Sequence, residues 1–237
     1  MSDRVHLDLG DSGIAVVVLD HPPLNVYDLE MRDALIEAVT AVRDVPDLRC
    51  LVVRAAGQHF SAGADLSEFG SAESIHEGRR IRWDRDPWIP LSELSIPTIA
   101  ELHGYTVGSG LEMSLLCDLR VASDDAVVGL PETKLGMLPA AGGTQSLTRA
   151  IGPHAASPLV LTGRNLDARE ALRRGVVHQV VPRSELEPTV DALAAQLATI
   201  DPAVMGALKR ALRSAYDLPL GEGLAVERRL ARSALGG

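Results

Sequence analysis

The run RCLVVRA at 49–55 is apolar almost throughout, the pattern of a strand buried on both faces. Ahead of it, Met31, Leu35, Val39 and Val42 recur at near-helical spacing, which predicts an amphipathic helix over 29–44. A helix feeding a doubly buried strand points to a layered α/β architecture. Other short runs, rich in β-branched residues and bounded by turn residues, extend the predicted sheet. They are VHLDL (5–9), IAVVVLD (14–20), TIAEL (98–102), LRVAS (119–123) and VVHQVV (176–181). From 184 onward strand patterns vanish, and 185–199, 202–216 and 221–235 read as helices, the second opened by Asp201-Pro202. The reading is an α/β body over 1–183 and a helical region over 184–237.

Composition narrows the function classes. Aromatic residues are 3% of the chain, so there is little material for a base-stacking platform. The net charge is −9 with no lysine or arginine run, so the footprint of a nucleic-acid binder is missing. Cys50 and Cys117 sit inside apolar runs and read as small buried hydrophobes in a reducing compartment. Two cysteines alone cannot make a zinc site. The first residues, MSDRVHLDLGD, are too acidic for a signal peptide, and no stretch approaches the ~18 apolar residues of a membrane span. The expected location is the cytoplasm, with no membrane partner.

Three segments carry the chemistry. HFSAGADL (59–66), HGYTVGSGLEMSLLCD (103–118) and LPETKLGMLPAAGGTQ (130–145) each place glycines and a polar or acidic residue just after a strand-like run. Ligand sites in α/β sheets collect at strand C-terminal ends, so three such loops can converge on one pocket. In the second, Gly108 and Gly110 flank Ser109 and an apolar helix begins at once. The first N–H groups of a helix lack intrahelical partners and carry partial positive charge. The Ser109 N–H is therefore a candidate oxyanion donor, and the Ala64 N–H, in the turn Ala62-Gly63-Ala64-Asp65, is a second. Glu112 falls in the first turn of that helix and Glu132 follows Pro131. Each alone reads first as an acid complementing a helix dipole. Beside two donor loops they can act as acid and base.

Several motifs fail on inspection. GSGLEM has Met113 where a dinucleotide-binding loop needs its last glycine, and Val107 and Leu111 break a nucleophile elbow around Ser109. HEGRR (76–80) lacks the second histidine of a zinc-protease helix, and His103 reads as a packing residue. The charged stretch at 70–90 reads either as a solvated helix or as a flap, since Trp83 and Trp88 have no periodic home in it.

Taken in order, DHPPLNVYDLEM (20–31), HFSAGADLSEF (59–69), ELHGYTVGSGLEMSLLCDLRVAS (101–123), LPETKLGMLPAAGGTQSLTR (130–149) and LTGRNLDAREALRRGVVHQVVP (161–182) resemble the enoyl-CoA hydratase/isomerases of the crotonase superfamily. The resemblance implies a crotonase-like (ClpP/crotonase) spiral of ββα units with a C-terminal helical trimerisation region. It implies a homotrimer or homohexamer, an acyl-CoA thioester as substrate and no cofactor. The thioester oxygen would lie between the N–H groups of Ala64 and Ser109. Glu112 and Glu132 match the two hydratase carboxylates. Ala62, Gly63, Asp65, Leu66, Gly108, Pro131 and Ala140 match the binding loops, with Ala140 where glycine is usual. Having both acids favours hydration of a trans-2-enoyl-CoA to a 3-hydroxyacyl-CoA. Isomerisation of a Δ3-enoyl-CoA, or another crotonase reaction, needs the same oxyanion hole and one acid. A catalytically weak acyl-CoA-binding paralogue is the reading of another class. The family usually continues past the segment GEGLAVERRLA with a helix that covers the acyl pocket, whereas here the sequence stops at Gly237. That departure bears on chain-length preference and CoA affinity.

Overall fold

The structure, a computed structural model, describes residues 3–10, 12–68, 74 and 86–235. Most of the charged stretch at 70–90, with Trp83, lies outside the described residues. In chain order, β1 (Val5–Leu9) and β2 (Ile14–Leu19) form a hairpin, and helix α1 (Leu29–Asp44) leads into β3 (Cys50–Ala55). Helix α2 (Trp88–Glu93) precedes β4 (Thr98–Leu102) and β5 (Tyr105–Val107). Helix α3 (Ser109–Leu116) is followed by β6 (Leu119–Ser123) and β7 (Val127–Gly129). Then come α4 (Gly143–Ile151), α5 (Pro153–Thr162), β8 (Leu166–Asp167), α6 (Ala168–Arg174) and β9 (Gln179–Val181). Helices α7 (Leu186–Ala198), α8 (Pro202–Asp217) and α9 (Leu220–Leu235) follow.

The main sheet has the order β1-β2-β3-β4-β6-β9, parallel throughout except for the β1–β2 hairpin. Side chains alternate across it with the two-residue period of a strand. Leu51 and Val53 join Val17, Leu19, Ala100 and Leu102 in the large core under α1. Cys50 and Val52 join Ile99 and Val121 on the other face, beneath Leu186, Val190 and Ala194 of α7. This double covering is why residues 50–53 are apolar on both faces, with Arg54 following them and ion-paired to Glu101, Glu187 and Asp191. Helix α7 therefore belongs to the packing of the sheet, and the helices that stand off it are α8 and α9. The structure ties α8 down through Lys209, whose Nζ donates to Asp118 Oδ2 and to the Ile96 carbonyl, each at 2.6 Å.

Helix α1 spans the predicted residues because the apolar stripe and its cap agree. Asp28 Oδ1 accepts from the Met31 N–H at 2.7 Å, and Met31, Leu35, Val39 and Val42 are buried. The strand expected over 176–181 is shorter. Gly175, in the left-handed region at φ 79°, ends α6, and the Val176 N–H bonds back to the Ala171 carbonyl. That use of the backbone leaves 179–181 for the sheet. In a second sheet, β5-β7-β8, strands β5 and β7 lead directly into the loops at Gly108 and Pro131. Both cysteines are free and buried, and burial pushes each thiol up to about 12. Among the described residues no helix is long and apolar enough to cross a membrane.

Candidate active site

The segment 60–65 is stitched on both sides. The Ser61 N–H donates to the Tyr105 carbonyl at 3.0 Å, and the Val107 N–H returns to the Ser61 carbonyl at 3.0 Å. Opposite, the Tyr27 N–H donates to the Gly63 carbonyl at 2.8 Å and the Asp65 N–H to the Tyr27 carbonyl at 3.0 Å. Residues 63 and 65 thus pair with Tyr27, and the intervening Ala64 N–H turns to the other side. Among the described residues it has no acceptor. Asn25 holds this arrangement from below: it is fully buried, and its Nδ2 donates to the carbonyls of Ala56 and His59 at 2.8 and 2.7 Å.

The second loop turns at Gly108, whose φ of 55° and ψ of −129° are open to glycine and strained for other residues. Its N–H donates to the Gly129 carbonyl at 3.0 Å, and its carbonyl accepts the first helical bond, from the Glu112 N–H, at 2.9 Å. Helix α3 therefore begins at Ser109 with a backbone N–H that no helical carbonyl can reach. A side chain on Gly108 would also approach Glu132, its Cβ 3.1 Å from Glu132 Oε1 and 3.4 Å from the Gly63 Cα. The three loops are in contact at this point.

The two carboxylates are held differently. Glu112 is 2% exposed, and its Oε1 accepts from the Ala141 N–H at 2.9 Å and the Gly143 N–H at 2.8 Å. Glu132 lies in a 3₁₀ turn, Pro131–Leu135, with its Oε2 buried and without a hydrogen bond among the described residues. Burial, together with the nearby charge of Glu112, raises the Glu132 carboxyl to about 7. Near neutral pH one acid of the pair can give a proton while the other is fixed by two main-chain donors.

Around these groups lies a cavity of about 870 Å³. Ala62, Gly63, Ala64, Asp65 and Leu66 from the first loop line it, with Gly108, Ser109 and Glu112 from the second and Pro131, Glu132 and Ala140 from the third. The structure thus brings every candidate site residue to one cavity. His103 is buried and lies outside the cavity wall.

Sequence reasoning missed much of the remaining wall. Tyr27, Arg32 and Asp86 reach the cavity, and so does Trp88. The Tyr27 and Trp88 rings pack with centroids 5.0 Å apart at 33°. Burial raises the Tyr27 hydroxyl well above its ordinary range and raises the Asp86 carboxyl too. Only Trp88 had a signal in the sequence, as a large aromatic in a charged stretch with no periodic place.

An α/β chain that sets two main-chain donors and two acids around one cavity has the layout of an enzyme for a carbonyl substrate. The model of the family described as enoyl-CoA hydratase/isomerase matches residues 10–235, and the chain belongs to that family. The Mycobacterium tuberculosis protein named probable enoyl-CoA hydratase echA8 is 36% identical over 228 residues, covering 94% of this chain and 87% of that one. The carnitinyl-CoA dehydratase of Salmonella typhimurium is also 36% identical, over 94% of this chain and 85% of its own length. The solved enoyl-CoA hydratase of Bacillus anthracis superposes with a TM-score of 0.93 at 30% identity, covering 99% of this chain and 92% of that one. The fold is accordingly that of the crotonases.

Proposed function

We propose that this chain is an enoyl-CoA hydratase, adding water across a trans-2-enoyl-CoA to give a 3-hydroxyacyl-CoA without a cofactor. The observation that carries the reading is one cavity holding two N–H groups, of Ala64 and Ser109, with no acceptor among the described residues, beside a backbone-held Glu112 and a raised Glu132. A CoA-bound solved structure from Thermobifida fusca, with a TM-score of 0.90 at 29% identity, supports a CoA thioester as the ligand. In this mechanism the thioester oxygen accepts from Ala64 and Ser109. Glu112 takes a proton from water as its oxygen bonds to Cβ. The π electrons move onto the thioester oxygen as an enolate, which the two donors stabilise by ~3 kcal/mol each. Glu132, protonated near neutral pH, gives its proton to Cα. Proton exchange with solvent then restores both acids.

The test is turnover of crotonyl-CoA, followed as loss of enone absorbance with solvent oxygen appearing at C3. Double-bond migration without solvent oxygen would support the isomerase reading, which needs only one acid. Tight acyl-CoA binding without turnover would support the binding paralogue. The relatives named for carnitinyl-CoA dehydration favour the hydration class with a changed acyl group. We also infer a homotrimer or homohexamer, because Leu208, Leu212, Tyr216, Leu220 and Leu224 leave apolar surface along α8 and α9. The proposed location is the cytoplasm, where buried free thiols persist.

A further inference from the structure

Helix α3 works as a ruler inside the cavity. Ser109, Glu112 and Leu116 all line the cavity wall, spaced by three and then four residues. Leu116 is therefore roughly 6 Å beyond Glu112 along the axis, about four or five carbons of an extended acyl chain. Helix α2 packs against both α3 and α1, and its first residue, Trp88, packs on the Tyr27 ring in the wall of the same cavity that Leu116 lines.

The wall at Tyr27 and Trp88 is not purely apolar. Among the described residues the Tyr27 hydroxyl has no hydrogen-bond partner, and Asp86 has one, the Trp88 N–H, which donates to its Oδ1 at 2.8 Å. The Arg32 guanidinium is engaged by Asp33 through Nε and Nη2, at 2.8 and 2.7 Å. Saturated carbons laid against a phenol and a carboxylate would strip water from both and return no bond. An acyl terminus with a carboxylate would meet the charge of Asp86. An alcohol complements both groups, giving its proton to the acceptor-only carboxylate and accepting from the phenol. The aromatic pair and Leu116 would hold the carbons that lead to it.

We propose that the acyl group selected by this site ends in a hydroxyl, read by Asp86 and Tyr27, several carbons beyond the reacting double bond. The inference rests on the acyl-CoA reading of the cavity, so its test keeps the two apart. Crotonyl-CoA turnover tests the hydratase reading. Calorimetric binding tests the substrate class independently, comparing ω-hydroxyacyl-CoA with unsubstituted acyl-CoA at six, seven and eight carbons. The expected result is at least ~10-fold tighter binding of one ω-hydroxy ligand over its alkyl counterpart, since a site built to bond a hydroxyl rejects the analogue lacking it. Asp86→Asn and Tyr27→Phe should each cut that ratio several-fold. Equal or tighter binding of the alkyl ligand at every length overturns the inference, whatever crotonyl-CoA shows. A preference that survives unchanged in both variants overturns the assignment to these residues, and Tyr27→Phe alone decides it should Asp86→Asn fail to fold.

Discussion

Gly143 donates its N–H to Glu112 Oε1 at 2.8 Å, and a Cβ on Gly143 would stand 2.8 Å from that same oxygen. The donor and the acid are in contact with no room for a methyl group. Gly143 is the first residue of α4, where alanine is the better helix former by up to about 1 kcal/mol. Gly143→Ala should therefore displace the Glu112 carboxylate while leaving the helix intact. The expected outcome is a fall in hydration kcat of roughly 10², the scale of a lost acid–base contribution, with an unchanged far-UV spectrum. Retained activity would show that the carboxylate tolerates displacement and that its two N–H bonds are incidental.

The acids themselves are tested by isosteric change. Glu112→Gln and Glu132→Gln should each lower hydration by at least ~10². A wild-type rate in either variant would falsify the two-acid assignment. Isomerisation offers a second readout, because a one-acid reaction should survive one of these substitutions and hydration should survive neither.

The raised carboxyl of Glu132 sets the pH dependence. Its ordinary value is 4.5 and burial brings it to about 7. In the proposed mechanism the protonated form donates to Cα, so kcat/KM for hydration should fall as pH rises through about 7. Stability follows the same sign. The folded protein keeps this proton over the window from 4.5 to 7 in which the unfolded chain loses it. The contribution is fully present below 4.5 and is lost as pH approaches and passes 7. Glu132→Gln should remove this component from a plot of melting temperature against pH. A wild-type kcat/KM that is flat between pH 6 and 9 would show that Glu132 is not the proton donor.

The oxyanion reading has its own substitution. Ser109 is the first residue of α3, a position where proline is tolerated because its N–H has no helical partner. Gly108 before it has φ 55° and ψ −129°, the mirror image of the extended conformation that a residue before proline prefers. Ser109→Pro should keep the helix and replace the donor with a methylene group. The expected loss is 10²–10³ in kcat, about 3 kcal/mol, with the circular dichroism spectrum retained. A loss of less than ~5-fold would mean that the Ser109 N–H does not bear on the transition state.

The candidate donors and acids were legible because each lies in a short segment whose glycines and charges announce it. Ala64 and Ser109 follow turns that only glycine allows, and Glu112 and Glu132 follow at fixed short spacing. Helix α1 was legible because Met31, Leu35, Val39 and Val42 recur at near-helical spacing over 29–44. What escaped was set by packing between distant segments. Tyr27, Asp86, Trp88 and Leu116 line one cavity because α2 packs against both α1 and α3. No local spacing encodes that meeting. The strands β5 and β8 have three and two residues, too few for a two-residue period to show.

The last prediction concerns how the off-sheet helices are attached. Lys209 is 6% exposed, and its Nζ lies 2.6 Å from Asp118 Oδ2, beside the end of the helix that carries Glu112. Asp118 does not depend on this partner alone, since Thr98 also donates to Oδ2 from its N–H at 2.8 Å and its hydroxyl at 2.9 Å. Breaking a buried pair by removing one partner costs ~3–5 kcal/mol, and with a third of the Asp118 side chain still exposed the lower end applies. Lys209→Met preserves the buried stem and removes the charge together with the bond to the Ile96 carbonyl, so it separates the polar head from the apolar packing. It should lower stability in chemical denaturation by about 3 kcal/mol. Asp118→Asn in the same background should then cost less than it does alone, because the two charges act as one unit. Strict additivity of the two substitutions would show that the contact contributes nothing and that α8 is held by its apolar face.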